Sequence, residues 1–189
     1  MILVYSHISS SRLQYTCSFI FKELLGIDFK LTIDSENFKC HAGPKLNYSN
    51  SRISPDEYFI HNHSLLFEHQ IQKQNIDCFI VNDNKAFFKT EDSDFPFDIL
   101  AATFYLLSRY EEYLPHEKDM YGRYDYENSL AYRERFLNLP LINIWVSHFT
   151  IGLQQKFPSF QIPFYSHLRY WYCLLLQTQR TDQKYRRLF

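Results

Sequence analysis

Glycine is scarce in this 189-residue chain, which has only four. That argues against the glycine-rich loops that cradle phosphates, and neither GxGxxG nor GxxxxGKS/T occurs. The four cysteines, Cys17, Cys40, Cys78 and Cys173, lie far apart with no CxxC, so no cysteine-built zinc site is expected. They read as reduced thiols, mostly filling the core. The net charge of −1 supplies no field for nucleic acid or acidic lipid. No apolar run approaches the ~18–20 residues of a membrane span. The opening MILVYSH has no basic leader and does not read as a signal peptide. GxSxG and HExxH are missing, as are internal repeats and low-complexity tracts. These absences imply a soluble, cytoplasmic protein with no cofactor, no nucleic-acid partner and no membrane span.

Aromatic residues are abundant. Eighteen Phe and fifteen Tyr lift the aromatic share to 19%, within an apolar fraction of 46%. A core of large flat rings follows, with many hydroxyls needing partners. The central stretch is FPFDILAATFYLLSRYEEYLP, Phe95 to Pro115. Pro96 and Asp98 mark a helix start, because the Asp98 carboxylate can accept from an orphan amide of the first turn. Ile99 to Leu107 is apolar all round and predicts burial on every side. Pro115 ends the helix, because Leu114, before a proline, is disfavoured in helical geometry. The expectation is one buried rod emerging into a charged, tyrosine-rich rim.

Around it, Ile2 to Tyr5 predicts a buried strand and Arg12 to Leu25 a helix closed by Gly26. That helix presents Leu13, Cys17, Ile20 or Phe21, and Leu24. Ile27 to Ile33 alternates as a half-buried strand, completing a right-handed βαβ unit. Lys45 to Tyr48 and Tyr58 to Ile60 predict short strands, and Ser64 to Gln70 is ambiguous. Cys78 to Val81 and Ala86 to Lys89 predict a hairpin around Asn82-Asp83-Asn84-Lys85. His116 to Asn128 is a loop long enough to suspect a role. Ser129 to Leu137 predicts a short helix. Pro140 opens another with Ile144, Ile151 and Phe157 apolar, ended by Pro158. The fold class is therefore α/β: a small, mostly parallel sheet with flanking helices and an attached β-hairpin. Residues 1–160 form the domain, and 161–189 is a poorly specified tail.

Candidate chemistry gathers on the rim. Arg109, Glu111 and Glu112 could position a ligand or act as acid and base, or else form a local salt bridge. Tyr121, Tyr124 and Tyr126 alternate and could stack on sugar rings, or pack back over the core, and Tyr113 stands with the charged rim as a further candidate ligand-binding residue. His61, His63 and His69 offer an H-x-H pair with no matched third ligand, and read as solvated loop histidines rather than a metal site.

FPFDILAATFYLLSRYEEYLP followed by SLAYRERFLNLPLINIW resembles a known family. This is the N-terminal domain of unknown function that precedes the catalytic domain in a group of bacterial polysaccharide deacetylase family proteins. MILVYSH, FIFKELLG and GPKLNYS fit the same pattern, and SRYEEYLPH is its most specific part. The resemblance covers roughly residues 1–160 and implies a non-catalytic α/β module fused to an enzyme, with no active-site residues to transfer. Its implied partners are the deacetylase catalytic domain, missing from this chain, and a glycan. The alternative is a stand-alone small enzyme or carbohydrate-binding module using the Arg109/Glu111/Glu112 rim. The family's catalytic domain opens near TYDID, and this chain departs from the pattern after Phe164. Moved forward one base, codons permitted for Phe164 to Phe189 can spell STPTYDIGIAYSYKHKGLIRNIGGF. The expectation is a frameshift that truncated a longer protein. The gene checks this directly: its codons either spell that string in the second frame or do not.

Overall fold

The computed structural model describes residues 1–163. The tail from Phe164 onward, with Cys173, lies outside the described residues. Four parallel strands form the sheet: β1 (Ile2–Tyr5), β2 (Phe29–Thr32), β3 (Lys45–Ser49) and β4 (Tyr58–His61), in the order β2-β1-β3-β4. A separate antiparallel hairpin joins β5 (Phe79–Val81) to β6 (Asn84–Ala86). The expected α/β class, parallel sheet and attached hairpin are all found.

Helix α1 (Ser11–Cys17) starts at Ser10, whose hydroxyl accepts from the Leu13 amide at 3.0 Å. It runs on as a π-helical stretch, Ser18–Leu24. The wider turn lets both Ile20 and Phe21 reach the core, each fully buried. Gly26 closes it at φ 63°, and the Ile27 amide bonds back to the Phe21 carbonyl at 2.8 Å. The second strand is shorter than Ile27 to Ile33, and Ile33 is 64% exposed. It sits at the sheet edge, where only one flank is paired.

A short helix that the apolar pattern does not signal, α2 (Ser35–Cys40), follows. Asp34 caps it, accepting from the Glu36 and Asn37 amides at 2.9 and 3.1 Å. It covers the second face of the sheet with Phe38. The first face carries Ile2, Val4, Leu46, Tyr48, Tyr58 and Ile60, all in the main core. Over that core lie α1, α3 (Ile99–Leu107) and α5 (Leu141–Lys156). Trp145 and Phe149 of α5 meet Phe87, Phe95, Phe97 and Tyr58 at ring separations of 5.1 to 5.7 Å, mostly edge-to-face. Gly152 makes this possible, because a Cβ there would fall 2.6 Å from the Tyr58 hydroxyl. Ile151, expected among the apolar positions of this helix, is 51% exposed.

The central helix departs from expectation at its end. It stops at Leu107, and Arg109 takes a left-handed conformation, φ 52°. A 3-10 turn, Tyr110–Tyr113, follows instead of two more helical turns. The break lets Tyr110 pack between Phe104 and Tyr105 and bury all but 2% of its surface. The hairpin is also tighter than expected. Asn82 and Asp83 alone form the turn, both with positive φ (48° and 62°), the pattern of a type I′ turn. The helix after Ser129 is only α4 (Leu130–Arg133).

One buried carboxylate ties these parts together. Asp98 accepts from the Tyr48 hydroxyl and the His63 amide at 2.7 Å each, and from the Ala101 amide at 2.9 Å. Burial raises its carboxyl to about 6, against those donors, which favour the charged form. A folded value above the ordinary one means its contribution is full below about pH 4 and is lost as pH rises through about 6. Asp98→Asn should therefore lie furthest below the wild type near pH 4. The gap should narrow by up to about 3 kcal/mol towards pH 7, read by urea unfolding at each pH. A gap independent of pH would contradict this.

Candidate functional site

Parallel α/β sheets usually bind ligands beyond the carboxyl ends of their strands, where neighbouring connections diverge. Here that point lies between β1 and β3, and it is filled. The 3-10 turn Ser64–Leu66 sits there with Leu65 and Leu66 fully buried. Ser10 donates to the Leu66 carbonyl at 2.6 Å and Arg12 to the Leu65 carbonyl at 2.8 Å. Phe67 packs against His7 and Tyr48, at 5.6 and 5.8 Å.

An open cleft lies instead beyond the C-terminal end of α3. Its volume is about 730 Å³. The left-handed turn at Arg109 swings the chain so that Glu111 points back toward α4. Both Glu111 carboxylate oxygens accept from the Leu130 amide, at 2.9 and 3.0 Å. The Arg133 guanidinium stands 3.6 Å from the same carboxylate. Burial raises the Glu111 carboxyl above the usual range, against the Leu130 amide, Arg133 and the Tyr105 hydroxyl. Burial and the nearby Glu111 charge push the Tyr105 and Tyr124 phenols up, so both stay neutral donors. Tyr124 meets the His116 ring edge-on at 4.9 Å, and His116 Nδ1 lies 2.8 Å from the Leu114 carbonyl. Asn128 adds an amide at the mouth.

The far wall is an extended strap, residues 71–76, with no regular structure. The Tyr110 hydroxyl holds it, accepting from the Gln72 amide at 3.0 Å and donating to the Gln72 carbonyl at 3.2 Å. Lys85 and Glu134 pair at 2.7 Å beside it, and the Trp145 indole donates to the Lys85 carbonyl at 2.9 Å.

The six rim residues separate. Glu111 and Tyr124 line the cleft. Arg109 pairs with Glu112 on the outer surface, with the Arg109 side chain 74% exposed. Tyr113 is exposed outside the lining, and Tyr121 stacks beneath the Arg123 guanidinium at 4.9 Å. Sequence reasoning did not single out Tyr105, His116, Asn128, Arg133 or the strap as site residues. Tyr105 carries the one detectable signal, a phenol inside a helix whose other polar side chain is Thr103. Among the histidines, His63 Nδ1 accepts from the Leu65 amide at 3.2 Å and its ring stacks on Phe88 at 4.1 Å. His61 turns edge-on to Phe59. Among the described residues no three His, Cys, Asp or Glu side chains converge as a metal site would need. No described helix is long and apolar enough to cross a membrane.

Fold and cleft together define an α/β domain whose strand-end crevice is closed and whose open cleft lies beyond a central helix. The chain belongs to a family of unknown function (DUF7033), whose model matches residues 2–158. No curated protein and no solved structure matches it.

Because the Tyr110 hydroxyl bonds both backbone groups of Gln72, Tyr110→Phe should leave the fold intact and cost about 1 kcal/mol. Amide exchange at Gln72 should accelerate while that of α3 stays slow. Unchanged exchange at Gln72 would refute the anchoring role.

Proposed function

We infer that this domain is a non-catalytic accessory module that binds carbohydrate in the cleft beside α4 and presents it to a deacetylase-type catalytic domain. The commitment of Glu111 carries this reading. A general acid or base needs an oxygen turned toward its substrate. The one N–H of Leu130 is shared between both oxygens of Glu111, with Arg133 alongside, which turns the carboxylate toward α4. What remains facing the cleft is the equipment of a binder. Tyr124 and His116 offer rings, Asn75 and Asn128 offer amides, and Gln74, whose amide N–H groups bond Glu68 and the Gln72 carbonyl, offers its amide oxygen. Rings that stack and amides that bond hydroxyls suit a polyhydroxylated ligand. The deacetylase partner rests on the resemblance around SRYEEYLPH and SLAYRERFLNLPLINIW.

A second reading, a stand-alone enzyme, is favoured by one observation: burial raises the Glu111 carboxyl, as suits a general acid. The two readings separate in one set of measurements. Titration with N-acetylated oligosaccharides should perturb amides lining the cleft. Tyr124→Ala should weaken binding about tenfold. Arg109→Ala, Tyr113→Ala and Tyr121→Ala should leave it unchanged, since none lines the cleft. No acetate should be released. Binding indifferent to Tyr124→Ala would overturn the accessory reading. So would acetate release abolished by Glu111→Gln.

A further inference from the structure

The two edges of the parallel sheet are finished differently. At β4 the outward backbone groups of Phe59 are both taken. Its amide donates to the Asp94 carboxylate at 2.7 Å and its carbonyl accepts from the Asp94 amide at 2.8 Å. The His61 amide donates to the Ser93 hydroxyl at 2.8 Å. Arg52 holds Asp94 in place with two bonds of 3.0 and 2.8 Å. That edge is closed to another strand.

At β2 the register leaves the other flank open. The Ile2 amide donates to the Asp28 carbonyl at 2.9 Å, and the Ser6 amide to the Thr32 carbonyl at 3.0 Å. Asp28, Lys30 and Thr32 thus turn their backbone groups toward β1. By alternation, Phe29, Leu31 and Ile33 turn theirs outward. No group among the described residues bonds them. The side chains above this edge are apolar and uncovered. Ile33 is 64% exposed and Ile8 49%, beside a cavity of about 180 Å³ that Leu13 and Leu31 also line. On the opposite face of the strand, Lys30 and Asp34 are exposed.

We propose that β2 is a dimerisation edge, paired antiparallel with β2 of a second copy of this chain, with Leu31 opposite Ile33 of the other copy. Charge selects this register. An antiparallel pair must align outward residues with outward residues, which leaves three central registers. Leu31 opposite itself sets Asp28 against Asp34 of the other copy. Phe29 opposite Leu31 sets Lys30 against Lys30. Leu31 opposite Ile33 sets Lys30 against Asp34 twice and Thr32 against Thr32, in the close, non-hydrogen-bonded positions where side-chain pairs interact most. It also brings Leu31 and Ile33 of both copies together on the α1 face, next to the uncovered cavity. Asp34 is in an extended conformation, φ −90° and ψ 108°, so the chain can continue the pairing to that point. This proposal goes beyond the carbohydrate reading and does not depend on it.

Sedimentation velocity on the full chain, from low to high micromolar concentration, tests it. A dimer is expected, weakened by salt through the two Lys30–Asp34 pairs. Amide exchange at Leu31 and Ile33 should slow as concentration rises. Ile33→Glu and Lys30→Glu should each raise the dissociation constant about tenfold or more. Both side chains are exposed, so circular dichroism and the monomer's thermal midpoint should stay close to wild type. A monomer at every concentration would overturn the proposal, as would a dimer that tolerates both substitutions. Slow exchange at Leu31 and Ile33 in a monomeric sample would overturn it too, because another segment of the same chain would then cover the edge.

Discussion

The position of the Asp98 carboxylate is the constraint from which the rest of the structure follows. It sits where three parts of the chain must meet: the end of β3 through Tyr48, the segment leaving β4 through the His63 amide, and the first turn of α3 through the Ala101 amide. A buried carboxylate is costly unless its lone pairs are occupied. Each of these donors is therefore held to a narrow geometry, and so is the direction of α3. With α3 fixed over the sheet, its C-terminal end falls at one place, and the turn at Arg109 starts there. The chain entering α3 carries strain to reach this point. Phe88 has φ 59°, uncommon for a bulky side chain. Its carbonyl accepts from the Asp98 amide at 2.9 Å, and its ring is held against His63 and Tyr105.

The two faces of the sheet are built on different principles. The first is apolar and aromatic, buried under three helices. The second carries Lys45, Asn47 and Glu57, each at most 1% exposed, and satisfies them locally. Lys45 reaches Asp56 at 3.0 Å and the Lys39 carbonyl at 3.2 Å. Glu57 accepts from the Asn47 side chain and from the Ile53 and Ser54 amides at 2.9 to 3.1 Å. Its charge thereby folds the β3–β4 connection onto the sheet, beside the short helix α2. Two covering strategies on one small sheet explain why three of the four strands are almost wholly buried while β2 is not.

Much of this architecture was legible in the residues. The apolar run Ile2 to Tyr5, the glycine after α1 and the capping Asp98 each act through local chemistry, and each stands where expected. The parallel sheet followed from the spacing of strand and helix. What escaped reading was decided at a distance. The helix ends at Leu107 because burying Tyr110 and bonding its hydroxyl to Gln72 outweigh two further helical turns; nothing in SRYEEY announces a left-handed arginine. The hairpin turn shortened because consecutive positive φ angles at Asn82 and Asp83 match the twist of two paired strands. Helix α2 rests on the cap at Asp34 and one buried ring, too little periodicity to detect. Within the site, Glu111 and Tyr124 were legible as a charged and aromatic cluster. Their separation from Arg109, Glu112, Tyr113 and Tyr121 was not, because it depends on which way the chain turns after α3.

That turn also explains where a ligand can go. Rossmann-like sheets leave their strand-end crevice open because a loop there is short or glycine-rich. This chain has few glycines, and it places Leu65, Leu66 and Phe67 in the crevice, sealed by Ser10 and Arg12. The first-face apolar surface is thus almost fully consumed in packing. An open cleft of about 730 Å³ survives where the packing is interrupted, beyond the last turn of α3. There the wall is a strap held mainly by hydrogen bonds rather than by buried area, and the floor is a carboxylate used to orient α4. The strap is tied to the body through the Tyr110 hydroxyl at Gln72 and through Ile76, which packs against the core, and not through Asp98.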